Sequence, residues 1–228
     1  MNDSIPPEVL SALTRFDSAT VANAIEHFNV RDPVTGYASL ELRCQFPEYG
    51  SMVGYAVTCT GTTTGLGNSR PQRLGDVLDM IWAAPKPTVL VIQDVGDDRL
   101  RSCYIGDMFS TAMQKMGAVG AVTDAGFRDR DGIARRSPGF QVFSPGTVVA
   151  HGHGVYIEFN VPVSVCGLPV NPGDLLHGDA NGLVSVPNSV AADVVHRAEQ
   201  VLADEAEHFE YLARDDFDLK ELKGRWGL

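Results

Sequence analysis

The sequence predicts a mixed α/β layered domain with short helices at its amino terminus and one long helix at its carboxy terminus. Three observations carry this reading. Two apolar β-prone runs flank a helical one in the middle of the chain, which makes a βαβ unit with parallel strands. Short runs broken by Gly and Pro follow it, and helical periodicity governs both ends.

Residues 8–15 and 19–28 read as helices, the second capped by Asp17 or Ser18. Pro33, Gly36 and Pro47 break the pattern over 29–49, and β-branched and aromatic residues return over 51–60 as a strand. A Gly- and Thr-rich loop is expected at 61–68, then a helix at 76–84. The βαβ unit comprises a strand at 88–93, a helix at 107–116 and a strand at 118–123, with a loop up to Gly106. Runs near 140–143, 155–165, 173–177 and 182–186 suggest a compact β-rich layer. From 188 the character changes: Asn188 or Ser189 is placed to cap an amphipathic helix reaching about Arg214, followed by a charged tail. The expected division is therefore a catalytic α/β domain over 1–187 and a helical arm over 188–228, packed on that domain or on a neighbouring subunit.

Composition narrows the function. A chain of 228 residues with 44% hydrophobic residues buries a sizeable core. Its apolar runs fall short of the roughly 18 residues that a membrane helix needs, and no basic-then-apolar leader opens it, so a cytoplasmic protein without membrane contact is expected. A net charge of -11 disfavours nucleic acid as a partner. Cys44, Cys59, Cys103 and Cys166 lack metal-binding spacing and read as buried thiols. An acidic chain that handles anions has to gather positive charge locally.

Ligands of open α/β sheets bind beyond the carboxyl ends of the strands, where two segments lie: Gly106-Asp107-Met108-Phe109 and Gly126-Phe127-Arg128-Asp129. The amides of Met108 and Phe109 fall in the first turn of a helix and lack intrahelical partners, which makes a carboxylate cradle. Arg128 can add a charged fork to the same anion. Asp107 and Asp129 are hard oxygen donors that suit Mg²⁺ or Mn²⁺. A small 2-keto acid fits such a set. Taken singly, Asp107 is an ordinary helix-start residue and Arg128-Asp129 a solvated turn; their joint placement points to a site.

Asp107, twenty intervening residues and Arg128-Asp129 resemble the acid-x20-Arg-Asp signature of the RraA-like 4-hydroxy-4-methyl-2-oxoglutarate aldolases, a family that includes oxaloacetate decarboxylases. Gly75-Asp76, Gly117, Gly120, Val122-Thr123-Asp124, Pro172-Gly173-Asp174 and His177-Gly178-Asp179 resemble the family in order and spacing, over roughly residues 17–205. The resemblance implies a β/β/α swivelling-domain fold and a homotrimer or homohexamer. It further implies a lyase of the class II aldolase type that cleaves 4-hydroxy-2-keto acids to pyruvate, or decarboxylates oxaloacetate, through a metal-stabilised enolate. On that reading Asp129 ligates the divalent metal and Asp107 holds a metal-bound water that serves as base. Arg128 binds the ketone oxygen and the enolate, while Gly106, Met108 and Phe109 bind the substrate carboxylate. Glu199 or Glu205 of a neighbouring subunit completes the site. Val77 after Gly75-Asp76, and Asp97-Asp98-Arg99 in place of a Gly-rich stretch, depart from the pattern and bear on the substrate.

Rival readings are weaker. A Schiff-base lysine has to be desolvated, and Lys86, Lys115, Lys220 and Lys223 do not read as buried. His151, His153 and His177 form a possible zinc or iron triad without a clear acid partner. Ser144 before Pro145-Gly146 reads as a turn, and Gly61 to Gly67 lacks the lysine of a phosphate loop. The alternative from another class is a non-catalytic, RraA-like regulatory module that binds a protein; the retained Asp129 argues for catalysis.

Overall fold

The computed structural model describes residues 5–63 and 72–228, so most of the loop expected over 61–68 lies outside the described residues. The chain opens with α1 (Pro7–Leu13) and α2 (Ser18–Glu26), and the Asp17 carboxylate accepts the Thr20 amide at 2.7 Å to cap α2. There follow β1 (Arg43–Cys44), β2 (Met52–Thr62), α3 (Leu74–Ala83), β3 (Thr88–Asp94), β4 (Cys103–Ile105), α4 (Asp107–Lys115), β5 (Ala118–Thr123) and β6 (Gly126–Phe127). Then come α5 (Arg130–Arg136), β7 (Gln141–Ser144), β8 (Val155–Phe159), β9 (Val163–Val165), β10 (Leu168–Val170), β11 (Leu175–Asp179), β12 (Gly182–Val186), α6 (Ala191–Leu212) and α7 (Leu219–Arg225).

Among the described residues, eight strands form one mixed sheet in the order β1-β7-β5-β3-β2-β11-β12, with β8 also on β2. Its centre is parallel: Tyr55 to Gly61 of β2 pair with Thr88 to Asp94 of β3, and β3 pairs with β5. On its other side β2 takes two antiparallel partners, β11 along its first half and β8 along its second.

The period of two along these strands divides the interior. Leu90 and Ile92 face the helices, where Val77, Met80 and Ile81 of α3, Met113 of α4 and Ile133 of α5 cover them. Val89 and Val91 face the opposite way, toward Val163, Val165, Leu168 and Val170 of the β9–β10 hairpin. Both faces being buried, these strands read as unbroken apolar runs. A third cluster joins α1, α2 and α6 to Val53, Tyr55, Leu175 and Val186. The result is the expected β/β/α layering with terminal helices.

Five elements differ from expectation. β4 and β6 are too short for periodicity to reveal. Residues 130–136 are helical although Gly132 sits inside them, because Ile133 is fully buried and Gly132 lets α5 close on α4. The carboxy-terminal tail is not merely charged: α7 is capped by Asp218, which accepts the Glu221 amide at 2.8 Å. Neither Asn188 nor Ser189 caps α6; a 3₁₀ turn over Asn188–Val190 precedes it, and the Asn188 side chain accepts the Leu175 amide at 3.1 Å instead.

Candidate active site

The expected site residues converge at the carboxyl edge of the parallel strands. β4 and β6 form their own two-stranded parallel sheet there, and each leads straight into a site segment. β4 runs into Gly106-Asp107, and β6 into Arg128-Asp129. The Gly126 amide donates to Ser102 O at 2.9 Å and the Arg128 amide to Ile105 O at 2.9 Å, so the two segments are stitched to each other.

This platform is anchored to the main sheet through buried carboxylates. The Tyr104 hydroxyl donates to Asp94 Oδ2 at 2.6 Å, and the Asp94 amide donates to Asp124 Oδ1 at 2.8 Å. Burial raises the pKa of the Asp124 carboxyl, against the Asp94 amide that lowers it. Burial also raises the Tyr104 hydroxyl, reinforced by its bond to Asp94, so Tyr104 remains a proton donor at neutral pH. Arg99, in the loop that departs from the family pattern, is turned to the same brace. Its guanidinium donates to Asp124 O at 2.9 Å and to both Glu41 oxygens, at 3.0 and 3.1 Å.

Gly106 is the N-cap of α4 and has no side chain to offer, so the amides of Asp107, Met108 and Phe109 are not capped. The first helical bond is Ser110 N–H to Gly106 O at 3.0 Å. The absent Cβ of Gly106 is required on the other face as well: a methyl there would lie 2.9 Å from Asp129 Oδ2. Asp129 adopts the left-handed conformation (φ 60°, ψ 37°), which Asp tolerates better than most residues. It stands at the N-cap of α5 without capping it; its carboxylate turns to Arg128 Nε, 3.3 Å away. Asp107 is three-quarters buried, and its Oδ2 is held by Arg136 Nη1 at 2.6 Å. A Cβ on Gly132 would meet that same oxygen at 2.7 Å.

Two clefts meet at this group. One, of about 310 Å³, is lined by Leu74, Tyr104, Ile105, Gly106, Asp107, Met108, Phe109, Arg128, Asp129 and His151 among others. The second, of about 670 Å³, shares Asp107, Arg128 and Asp129 and adds the arginines of α5. Sequence reasoning passed over Arg136, since its link to Asp107 spans 29 positions and depends on a helix that periodicity does not reveal. A donor set of two adjacent carboxylates suits a divalent cation that keeps most of its water, and no cluster of three His, Cys, Asp or Glu forms among the described residues.

The histidine triad does not assemble. His177 is fully buried, where Nε2 donates to Leu13 O at 3.1 Å and Nδ1 accepts from the Ser18 hydroxyl at 3.0 Å. His151 stands at the cleft rim against Gly152 O, 2.7 Å away. Lys86, beyond the end of α3, is exposed; its ammonium donates back to Ile81 O in the last turn of that helix, beside a separate cleft of about 400 Å³. Cys59, Cys103 and Cys166 are buried and Cys44 is half-buried, and burial raises the Cys103 thiol to about 11.

Comparison with known proteins bears on the family and the fold. A protein named "Putative 4-hydroxy-4-methyl-2-oxoglutarate aldolase" from Halalkalibacterium halodurans is 32% identical over 130 residues, 57% of this chain and 60% of that one. The chain spans less than two thirds of the length of the first curated relatives it matches, 29% and 65% for the next two. Among solved structures, an uncharacterized protein from Pseudomonas syringae superposes with a TM-score of 0.73 at 24% identity, covering 93% of this chain and 92% of that one. Streptomyces coelicolor RraAS2, described as an unusual member of the RNase ES inhibitor RraA protein family, gives 0.66 at 24% identity, over 93% and 99%. Residues 18–185 match the family described as RraA-like, Aldolase/RraA, and the chain belongs to that family.

Proposed function

We propose that the chain is a divalent-metal-dependent lyase that cleaves 4-hydroxy-4-methyl-2-oxoglutarate-like 2-keto acids to pyruvate, decarboxylates oxaloacetate, or does both. The observation that carries this reading is the convergence of Asp107, Arg128 and Asp129 on the uncapped amino terminus of α4.

In this reading Asp129 would hold Mg²⁺ or Mn²⁺ directly and Asp107 would hold it through water, and the ion would supply Lewis acidity toward the 2-keto oxygen. The amides of Met108 and Phe109 bind the substrate's 1-carboxylate, which the α4 dipole favours. Arg128 donates to the keto oxygen, and its permanent charge opposes the negative charge that gathers there as the carbon–carbon bond breaks. For aldol cleavage Asp107 receives, through a water, the proton leaving the 4-hydroxyl. Leu74, Ile105 and Phe109 make the wall of the cleft apolar, which strengthens each of these contacts.

The carboxylates of one chain leave room for a donor from a neighbouring subunit. Exposed apolar Met108 and Val149, 85% and 98% exposed, flank the site and favour its closure by a second copy in a homotrimer or homohexamer. Of the two α6 candidates, Glu199 is paired with Arg15 of its own chain at 3.1 Å, which favours Glu205. No helix among the described residues is long and apolar enough to cross a membrane, in keeping with action on a diffusible substrate.

Pyruvate release from oxaloacetate and from 4-hydroxy-4-methyl-2-oxoglutarate, with Mg²⁺ or Mn²⁺ against chelator, tests the reading. Asp129→Asn is the informative variant, because Asn keeps the left-handed backbone that Ala would strain. Turnover that requires metal and falls at least about a hundredfold in Asp129→Asn supports it. A folded wild type that neither binds metal nor turns over either substrate sinks it in favour of a protein-binding role.

A further inference from the structure

His151 lines the smaller cleft together with Asp107, Arg128 and Asp129, and the segment that carries it is strapped to both strands of the small parallel sheet. At one end the Phe127 amide of β6 donates to Gly146 O at 3.1 Å, and the Val148 amide donates to Phe127 O at 2.8 Å. At the other end the strap closes on Thr63. The His153 amide donates to Thr63 O at 2.9 Å, and the Thr63 hydroxyl accepts the Cys103 amide of β4 at 3.0 Å. Gly152 makes that closure possible: it is left-handed (φ 57°), and a Cβ there would run into Thr63 O. His151, although exposed, is thus tied to the same two strands that lead into Asp107 and Arg128-Asp129.

The ring is oriented as well. Nδ1 lies 2.7 Å from Gly152 O, and because a carbonyl only accepts, Nδ1 carries the hydrogen and Nε2 is left for a ligand. The other groups around this cleft are committed. Burial raises the Cys103 thiol to about 11, and the Tyr104 hydroxyl donates to Asp94 at 2.6 Å. Asp107 is held by Arg136 at 2.6 Å and Asp129 faces Arg128 at 3.3 Å; a guanidinium does not release its protons. An imidazole gives up and regains a proton near neutral pH, and one that is exposed regains it from water. We propose that His151 is the catalytic acid that protonates carbon 3 of the product, a step to which the keto-acid reading given above, on which this assignment rests, gives no donor. When the carbon–carbon bond of the substrate breaks, its electron pair stays with the pyruvyl fragment as the enolate. That pair takes the proton from Nε2 of the His151 imidazolium, which forms the new carbon–hydrogen bond, restores the keto group and leaves a neutral imidazole; water then returns the proton. In reverse, neutral Nε2 removes a proton from the methyl group of pyruvate.

Exchange of the pyruvate methyl protons for deuterium in heavy water with Mg²⁺, followed by proton NMR, isolates this step, because no carbon–carbon bond changes. The wild type is expected to exchange them, and His151→Gln to do so at least about a hundredfold more slowly. Pyruvate and Mn²⁺ affinities, measured by calorimetric titration, are expected to stay within about twofold in the variant, which separates proton transfer from a role in holding either ligand. Undiminished exchange in His151→Gln overturns the assignment and leaves the keto-acid reading standing. Exchange lost together with pyruvate or Mn²⁺ affinity overturns it likewise, since His151 would then hold a ligand, as does a wild type that binds pyruvate without exchanging its protons. A wild type that binds Mn²⁺ yet neither binds pyruvate nor exchanges it overturns both.

Discussion

Two glycines set the geometry of the site as firmly as its charged residues do. A methyl on Gly106 would displace the Asp129 carboxylate, and one on Gly132 would displace that of Asp107. The backbone at Gly106 (φ -138°, ψ 179°) is open to any residue, so Gly106→Ala should fold normally yet bind Mn²⁺ about tenfold more weakly, a change of about 1.4 kcal/mol. A titration followed by electron spin resonance, beside a melting curve, measures both; undiminished affinity would show that Asp129 does not hold the ion. His177 gives a prediction of another kind. Burial lowers its pKa, against the Leu13 carbonyl that raises it, so between its folded value and the ordinary 6.5 the unfolded chain binds the extra proton. Stability should therefore decline as pH falls below about 6.5, and the slope of melting temperature against pH should flatten in His177→Gln. Both glycines are visible in the sequence, but their purpose is not, since the oxygens they accommodate are 23 and 25 positions away.

At the scale of elements, what was legible tracks length. β3, α4 and β5 stand where the apolar period places them, because each buries enough residues to leave a pattern. β4 and β6, three and two residues long, leave none, although they lead directly into Asp107, Arg128 and Asp129. Tyr104, Ile105 and Phe127 pack them into the cluster beneath Leu90 and Ile92, and the hydroxyl of Tyr104 adds a bond to buried Asp94, which makes Tyr104→Phe a sharp probe of that polar brace. Loss of the 2.6 Å bond leaves a buried Asp94 oxygen without that donor, at a cost of about 1–3 kcal/mol. Denaturant unfolding measures this directly. If the platform positions the site, kcat should fall in the same variant under conditions where it remains fully folded; unchanged kcat would mean that the brace serves stability alone.

Over the whole molecule, β2 belongs to three interiors at once. Val53 and Tyr55 pack with the terminal helices, Met52 and Ala56 with the β9–β10 side, and Val57 and Cys59 under α3 and α4. Such sharing predicts one cooperative unfolding transition, with fluorescence and far-UV dichroism coinciding; separate transitions would show that the terminal helices melt independently. The layering was readable from the sequence because it follows from the order of strand and helix patterns. The meeting of the two clefts was not, since it depends on α5 folding back on α4 through Gly132 and Arg136.

The small β4–β6 sheet also bears on motion. Arg128 and Asp129 follow one of its strands and Asp107 the other, and backbone bonds join the two segments, Gly126 N–H to Ser102 O and Arg128 N–H to Ile105 O. A displacement of this piece would be a rigid-body one, conserving the separations among the three groups while altering their distance from the Leu74 wall. Liganded and ligand-free crystals compared after superposition on β3 and β5 should show the trio translating together. Adjustment to substrates of different girth would then come from where the piece rests, with its internal arrangement unchanged.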